Sequence, residues 1–377
     1  MFRLALLMLV LLAPVCQAHV PLTPSGNDNI SSAEYISDPA KSWAIYSSIE
    51  PVQAGYYSFD MRKGDRIYLS LLSSADPQEK SFEPSMALIG PGLKSKNEPK
   101  NESKTDLKDS LPDFIFIPKG YGFITVQGMR AKNATYEPFG PSSYYQQAEL
   151  DLPAPEAGRY YAAVYENQSY NQNHNQSDNQ SNNQNNNRRG GHYSLALGYK
   201  EEFSFMDRIT TPLKLISVYL WEGQRLTTII TPYLVALLLG LFVVFRNPKR
   251  TPFYSAGTVA GFLFLGTSAS ILSQIVFNLT RAPFGPEVYI SVALAAIPAI
   301  LGVVLLRLAR GEAGILQRSI VAVIGTVGLL AGSGLIIGSL IAISASVLPS
   351  RRRRPETADP AAAGNSKNQA MGLKLGK

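Results

Sequence analysis

Residues Tyr254–Phe277 read YSAGTVAGFLFLGTSASILSQIVF, an apolar run with no Asp, Glu, Lys, Arg or His in it. A helix needs about 20 such residues to cross the hydrocarbon core of a bilayer. Three comparable uncharged stretches accompany it, at Thr228–Phe245, Val288–Leu306 and Ile320–Leu348. Residues 228–348 therefore read as an all-α, four-helix transmembrane domain whose first partner is the lipid bilayer. Ion pumps and coupled transporters keep ionisable groups at membrane depth, and these stretches hold none.

The net charge of +7 and the pI of about 9.3 come from clusters placed beside the apolar stretches. Arg246, Lys249 and Arg250 follow the first, Arg307, Arg310 and Arg318 separate the third from the fourth, and Arg351–Arg354 follows the last. Such clusters set topology and face anionic lipid; no nucleic-acid partner is expected. Arg3, the apolar Leu4–Val15 and Cys16-Gln17-Ala18 have the layout of a signal peptide over residues 1–18. Cys16 is the sole cysteine. Cleavage after Ala18 leaves no thiol, which excludes disulfides and cysteine metal sites.

A secreted first half makes this a multi-pass plasma-membrane protein with its N-terminal domain extracellular. The first two basic clusters then face the cytoplasm, as the positive-inside rule requires. Arg351–Arg354 does not, if Ile320–Leu348 crosses once. A full crossing is the expectation. The alternative is re-entry, because Gly325, Gly328, Gly332, Gly334 and Gly338 permit a break. The pairs Gly257/Gly261, Gly328/Gly332 and Gly334/Gly338 are spaced to let helix backbones approach within the bundle. Residues 206–227, with Leu213, Ile216 and Leu220 at helical spacing, form either an interfacial helix or an extension of the first span. Residues 349–377 are read as a disordered basic tail.

Residues 19–205 carry short β-branched and aromatic runs between turn residues, the pattern of an all-β antiparallel sandwich or jelly roll. Strands are expected at Ser42–Ser47, Gly55–Asp60, Arg66–Leu72, Ser85–Ile89, Asp113–Pro118, Phe123–Gln127, Ala148–Leu152, Arg159–Glu166 and His192–Tyr199. Ile67, Leu69 and Leu71 share one face. The run Tyr56-Tyr57-Ser58-Phe59-Asp60, the turn at Lys63-Gly64-Asp65 and the strand that follows resemble the opening of pre-peptidase C-terminal-like domains. Pro153–Tyr165 and Gly191–Leu197 are similar to their closing hairpin. That resemblance implies strands and turns, not chemistry. The overall layout also resembles archaeal multi-span membrane proteins of unassigned role.

The closing hairpin is split by residues 167–189, rich in Asn and Gln, which cannot bury enough apolar surface to offset ordering and are read as a disordered loop. Asn-x-Ser/Thr acceptor patterns occur at Asn29, Asn101, Asn133, Asn167, Asn175, Asn179 and Asn278. Catalytic patterns are absent: His19, His174 and His192 have no metal-ligand spacing, and Asp106, Asp109 and Asp113 read as a solvated acidic loop, the alternative being a calcium site built from their oxygens. No cofactor, metal or enzymatic activity is expected. Tyr144 and Tyr145, in the Pro-, Gly- and Ser-rich loop Glu137–Gln147, are the candidate ligand contacts, since tyrosine offers amphipathic surface at low entropic cost. The expected function is non-catalytic display of the sandwich to envelope proteins or glycans. The alternatives are an accessory subunit contacting other membrane subunits, and a transporter or channel for a neutral or hydrophobic solute.

Overall fold

The computed structural model describes residues 19–94, 111–166, 190–248 and 250–350. The signal segment, the Asn/Gln-rich tract, the basic tail from Arg351 onward and the acceptor candidates Asn101, Asn167, Asn175 and Asn179 lie outside the described residues.

The first half forms two stacked sheets from β1 (Val20–Leu22), β2 (Glu34–Tyr35), β3 (Trp43–Ile49), β4 (Ala54–Met61), β5 (Arg66–Ser74), β6 (Pro84–Gly90), β7 (Gly122–Val126), β8 (Thr135–Glu137), β9 (Ser142–Pro153), β10 (Gly158–Glu166) and β11 (Gly191–Leu197). One sheet runs β1-β3-β11-β5-β9-β8 and the other β2-β4-β10-β6-β7. Pairing is antiparallel except at β1/β3 and β2/β4. Alternating side chains from both sheets fill the core: Ile45, Leu69, Leu71 and Leu195 from one, Tyr57, Phe59, Met86, Leu88 and Tyr160 from the other. Gly64 turns the chain between β4 and β5 at φ +88, a conformation that only glycine adopts freely.

The expected strand at Asp113–Pro118 does not form. Ile115 packs instead with Tyr56, Ile89 and Tyr165 on the outer face of the second sheet, flanked by Leu111, Phe114 and Ile117. This second apolar layer is why β4 and β6 are buried on both faces rather than alternating.

The second half is helical: α1 (Phe205–Trp221), α2 (Leu226–Arg246), α3 (Pro252–Leu279), α4 (Glu287–Ala309), α5 (Ile315–Leu330) and α6 (Ile337–Ala345). Ser204 and Asp207 form a reciprocal cap at the start of α1. Asp207 also pairs with Lys41 at 2.7 Å, tying α1 to the sandwich. Gly223, at φ +82, separates α1 from α2, so α1 is its own element rather than an extension of the first long helix. Leu213 and Leu220 face outward from it.

Among the described residues three helices, α2, α3 and α4, are long and apolar enough to cross a membrane. α3 is the most buried of them. Against α4 the backbones touch: a Cβ on Gly302 would lie 2.7 Å from the carbonyl oxygen of Gly261, and one on Gly257 would lie 2.9 Å from Ala309 Cβ. The glycine spacing at 257 and 261 thus serves packing inside the bundle.

The full crossing expected of Ile320–Leu348 is corrected. The stretch breaks after Leu330, and α5 and α6 fold back as a hairpin. Gly332, Gly334, Leu335 and Ile336 all have positive φ at the break. At ~1.5 Å per residue α6 reaches roughly 14 Å, about half of the ~30 Å core. Freed backbone groups find partners: Gly334 N–H donates to Thr267 Oγ1 on α3 at 2.6 Å, and Ser339 Oγ donates to the Ser333 carbonyl at 2.9 Å. Gly328 and Gly338 pack against Phe264 and Leu263 as helix contacts, whereas Gly332 and Gly334 make the turn.

The hairpin returns the chain to the end of the bundle from which α5 starts. Arg318 donates to the carbonyls of Ser346 and Leu348, and the Phe253 N–H donates to the Pro349 carbonyl. Ser350 therefore lies at the same end as Arg250, Arg310 and Arg318. The sandwich sits at the other end.

Candidate ligand chamber

The sandwich is fastened to the helices by the β8–β9 hairpin and the α1–α2 turn. The stretch Glu137–Gln147, expected as one loop, contains the end of β8, a turn at Pro138–Pro141 and the start of β9. Its proline and serine content resembles a loop because the turn occupies only its first part. Asn278 Nδ2, near the end of α3, donates to the Pro141 carbonyl at 2.9 Å. Ser291 Oγ of α4 donates to the Pro138 carbonyl at 2.7 Å and accepts from Tyr136 at 2.8 Å. Trp221 Nε1, ending α1, donates to the carbonyls of Ser47 and Tyr193, both at 3.0 Å.

Beneath this hairpin lies Glu222, a fully buried acid between α1 and α2. It accepts from the Ser143 N–H of β9 at 2.9 Å and from Gln224 Nε2 at 3.0 Å. Gln224 and Gln274 exchange amide hydrogen bonds at 2.6 and 3.0 Å, and Arg281 donates to the Glu222 carbonyl at 2.7 Å. Burial drives the Glu222 carboxyl up to about 7, against the lowering effects of Ser143, Gln224 and Arg281.

Asn278 is fully buried and both protons of its amide are engaged, one on Pro141 and one on the Gln274 carbonyl. It is not a surface acceptor; this corrects the glycosylation expectation there. Asn29 and Asn133 are exposed, and Asn29 also caps a short helical turn through Ser31 and Ser32.

The docked surfaces form a partly open chamber of about 240 Å³, lined by β3, the β8–β9 hairpin, β11, α1 and the long helices, with Ala331, Gly332 and Leu335 of the helical hairpin contributing one wall. Most of the lining is apolar. Gly332 is required at its place, because any Cβ there would overlap the ring of Pro212. Tyr46, Tyr144, Tyr219 and Tyr233 are among the lining residues. Glu137 is the lining carboxylate and accepts from the Phe139 N–H at 3.1 Å; burial raises its pKa. Among the described residues no lysine or arginine lines the chamber.

Tyr144 and Tyr145, the candidate contacts, are strand residues and point to opposite faces of β9. Tyr144 lines the chamber. Tyr145 lies under the Arg130 guanidinium, 4.3 Å from its ring centre, and packs beside Tyr136, Ile275 and Val288. Neither stands on an exposed loop. Of the residues that sequence reasoning missed, Glu137 lines the chamber and Glu222 lies in the α1–α2 junction behind it; neither belongs to a local pattern, and a lone acid between two apolar helices is the one faint signal that Glu222 offered.

No family model matches this chain, and no curated protein matches it. Among solved structures, that of PliG, a periplasmic inhibitor of g-type lysozyme from Salmonella Typhimurium, is similar over 45% of this chain and 100% of its own, at 14% identity and a TM-score of 0.22. At that score the likeness bears on neither fold nor activity.

Proposed function

We propose that this is a non-catalytic, multi-pass membrane protein. Its sandwich sits outside the cytoplasm and works as one body with the helices, binding a small amphipathic molecule in the chamber between them. The observation that supports this most is the chamber itself. Its walls come from both halves of the chain, it is mostly apolar, and a few polar groups converge on it, the usual makeup of a small-molecule site. The basic residues at the end of the bundle away from the sandwich support a cytoplasmic placement of that end. The outward Leu213 and Leu220 of α1 support its lying on the outer bilayer surface. Within this reading the sandwich is a relative of the pre-peptidase C-terminal-like domains, and Asn29 and Asn133 are its glycan acceptors.

The test is to purify the full chain gently, extract it with organic solvent and identify the released molecules by mass spectrometry. Leu215→Trp on α1 and Ile297→Trp on α4 each fill the chamber from a different side. A compound abundant in the wild-type extract and depleted in both variants is expected. Identical extracts from folded wild type and variants would overturn the proposal.

A further inference from the structure

We infer that the chamber selects a ligand with a cationic, hydrogen-donating amine head, which binds Glu137 while an apolar tail lies against the helices. This deepens the proposed chamber function and rests on it. Among the described residues the lining holds a carboxylate but no lysine or arginine, and the histidine on the wall, His19, is engaged with Ser42 Oγ. Glu137 itself has one protein donor, the Phe139 N–H. An acid held half-buried beside apolar surface without a protein cation is costly to ionise, and an opposite charge brought close to it favours its charged form. The aromatic rings strengthen the case. Tyr46 and Tyr144 lie near enough to Glu137 for its charge to oppose their ionisation further, and Tyr46 packs edge-on to Trp221 with centroids 5.1 Å apart. Rings gathered around a carboxylate favour an ammonium group through their negative faces. The Glu137 carboxylate repels a head that is anionic overall, and no lysine or arginine among the described lining residues offsets that repulsion.

Trp221 lines the chamber and reports on its contents. In the full chain carrying Trp43→Phe it is the sole tryptophan. Its fluorescence is titrated with octylammonium, with octyltrimethylammonium and with octanol. A charged hydrogen bond contributes roughly 1.5–3 kcal/mol, so octylammonium is expected to bind at least about tenfold tighter than octanol. Octyltrimethylammonium, which has no N–H donor, should fall between. In Glu137→Gln the preference should collapse to about onefold, and Glu137→Asp should keep part of it. Equal binding of amine and alcohol, unchanged by Glu137→Gln, would overturn the amine head and leave the chamber standing. No saturable response to any of the probes would overturn the chamber reading itself. Two sources could supply this chemistry, an amino-lipid headgroup and a free amphipathic amine. Competition against octylammonium in vesicles of phosphatidylglycerol with phosphatidylethanolamine, but not phosphatidylglycerol alone, identifies the lipid; equal binding in both identifies the free amine.

Discussion

Arg318, at the start of α5, donates through Nη1 to the carbonyl of Leu348 at 2.7 Å and so joins the two open ends of the helical hairpin. The same nitrogen reaches the Ser346 carbonyl at 2.8 Å. These carbonyls follow the last turn of α6, where a helix leaves acceptors unpaired and favours positive charge. Arg318→Gln should cost about 1.5–3 kcal/mol for the lost charged hydrogen bonds. A lower midpoint in thermal unfolding of the purified chain, with Arg318→Lys intermediate, is the expected result.

Because the hairpin returns, the sandwich and the residues near Ser350 should lie on opposite sides of the membrane. Cysteines placed singly at Asn133 and Ser350, in a Cys16→Ser background, distinguish the two sides. An impermeant thiol reagent added to intact cells is expected to label N133C and spare S350C until the cells are opened.

Glu222 makes the docking sensitive to pH. Its carboxyl titrates at about 7 in the folded protein and near 4.3 when unfolded. The folded state therefore holds its proton more tightly, and stability falls as pH rises between those values. The loss is complete above about 7 and on the order of 3 kcal/mol. Glu222→Gln keeps an acceptor for the Ser143 N–H and should flatten this slope. Unfolding midpoints across that interval, compared between variant and wild type, read it directly.

Gly302 and Gly261 bring α4 and α3 to backbone contact. Gly302→Val would force the helices apart and should destabilise the bundle by roughly 1–3 kcal/mol, the usual range for overpacking. Gly311, which lies outside this contact, should accept Ala with little change, and the pair of melting curves tests whether the contact is specific.

Much of this architecture was legible from residue patterns. Ile67, Leu69 and Leu71 alternate because one face of β5 meets the core, and α3 announces itself by uncharged length. What stayed hidden depends on contacts between distant segments. β1 and β2 are too short to show a period. Asp113–Pro118 is apolar because it covers a sheet, which a strand pattern mimics. The hairpin break was visible in Gly332 and Gly334, and the misplaced Arg351–Arg354 and the excess length of Ile320–Leu348 both pointed to it, but an uncharged apolar run has the same composition whether it crosses or turns back. Glu137 and Glu222 could not be singled out, since their importance arises from burial that the docking of two separate halves creates.

The position of Tyr144 tests the whole account most directly. Replaced by p-benzoylphenylalanine and irradiated in living cells, it should form adducts with a small molecule or with α1 across the chamber, seen as mass shifts within the intact chain. Cross-links predominantly to another protein would place this side chain on an open surface and contradict a chamber shared by sandwich and helices.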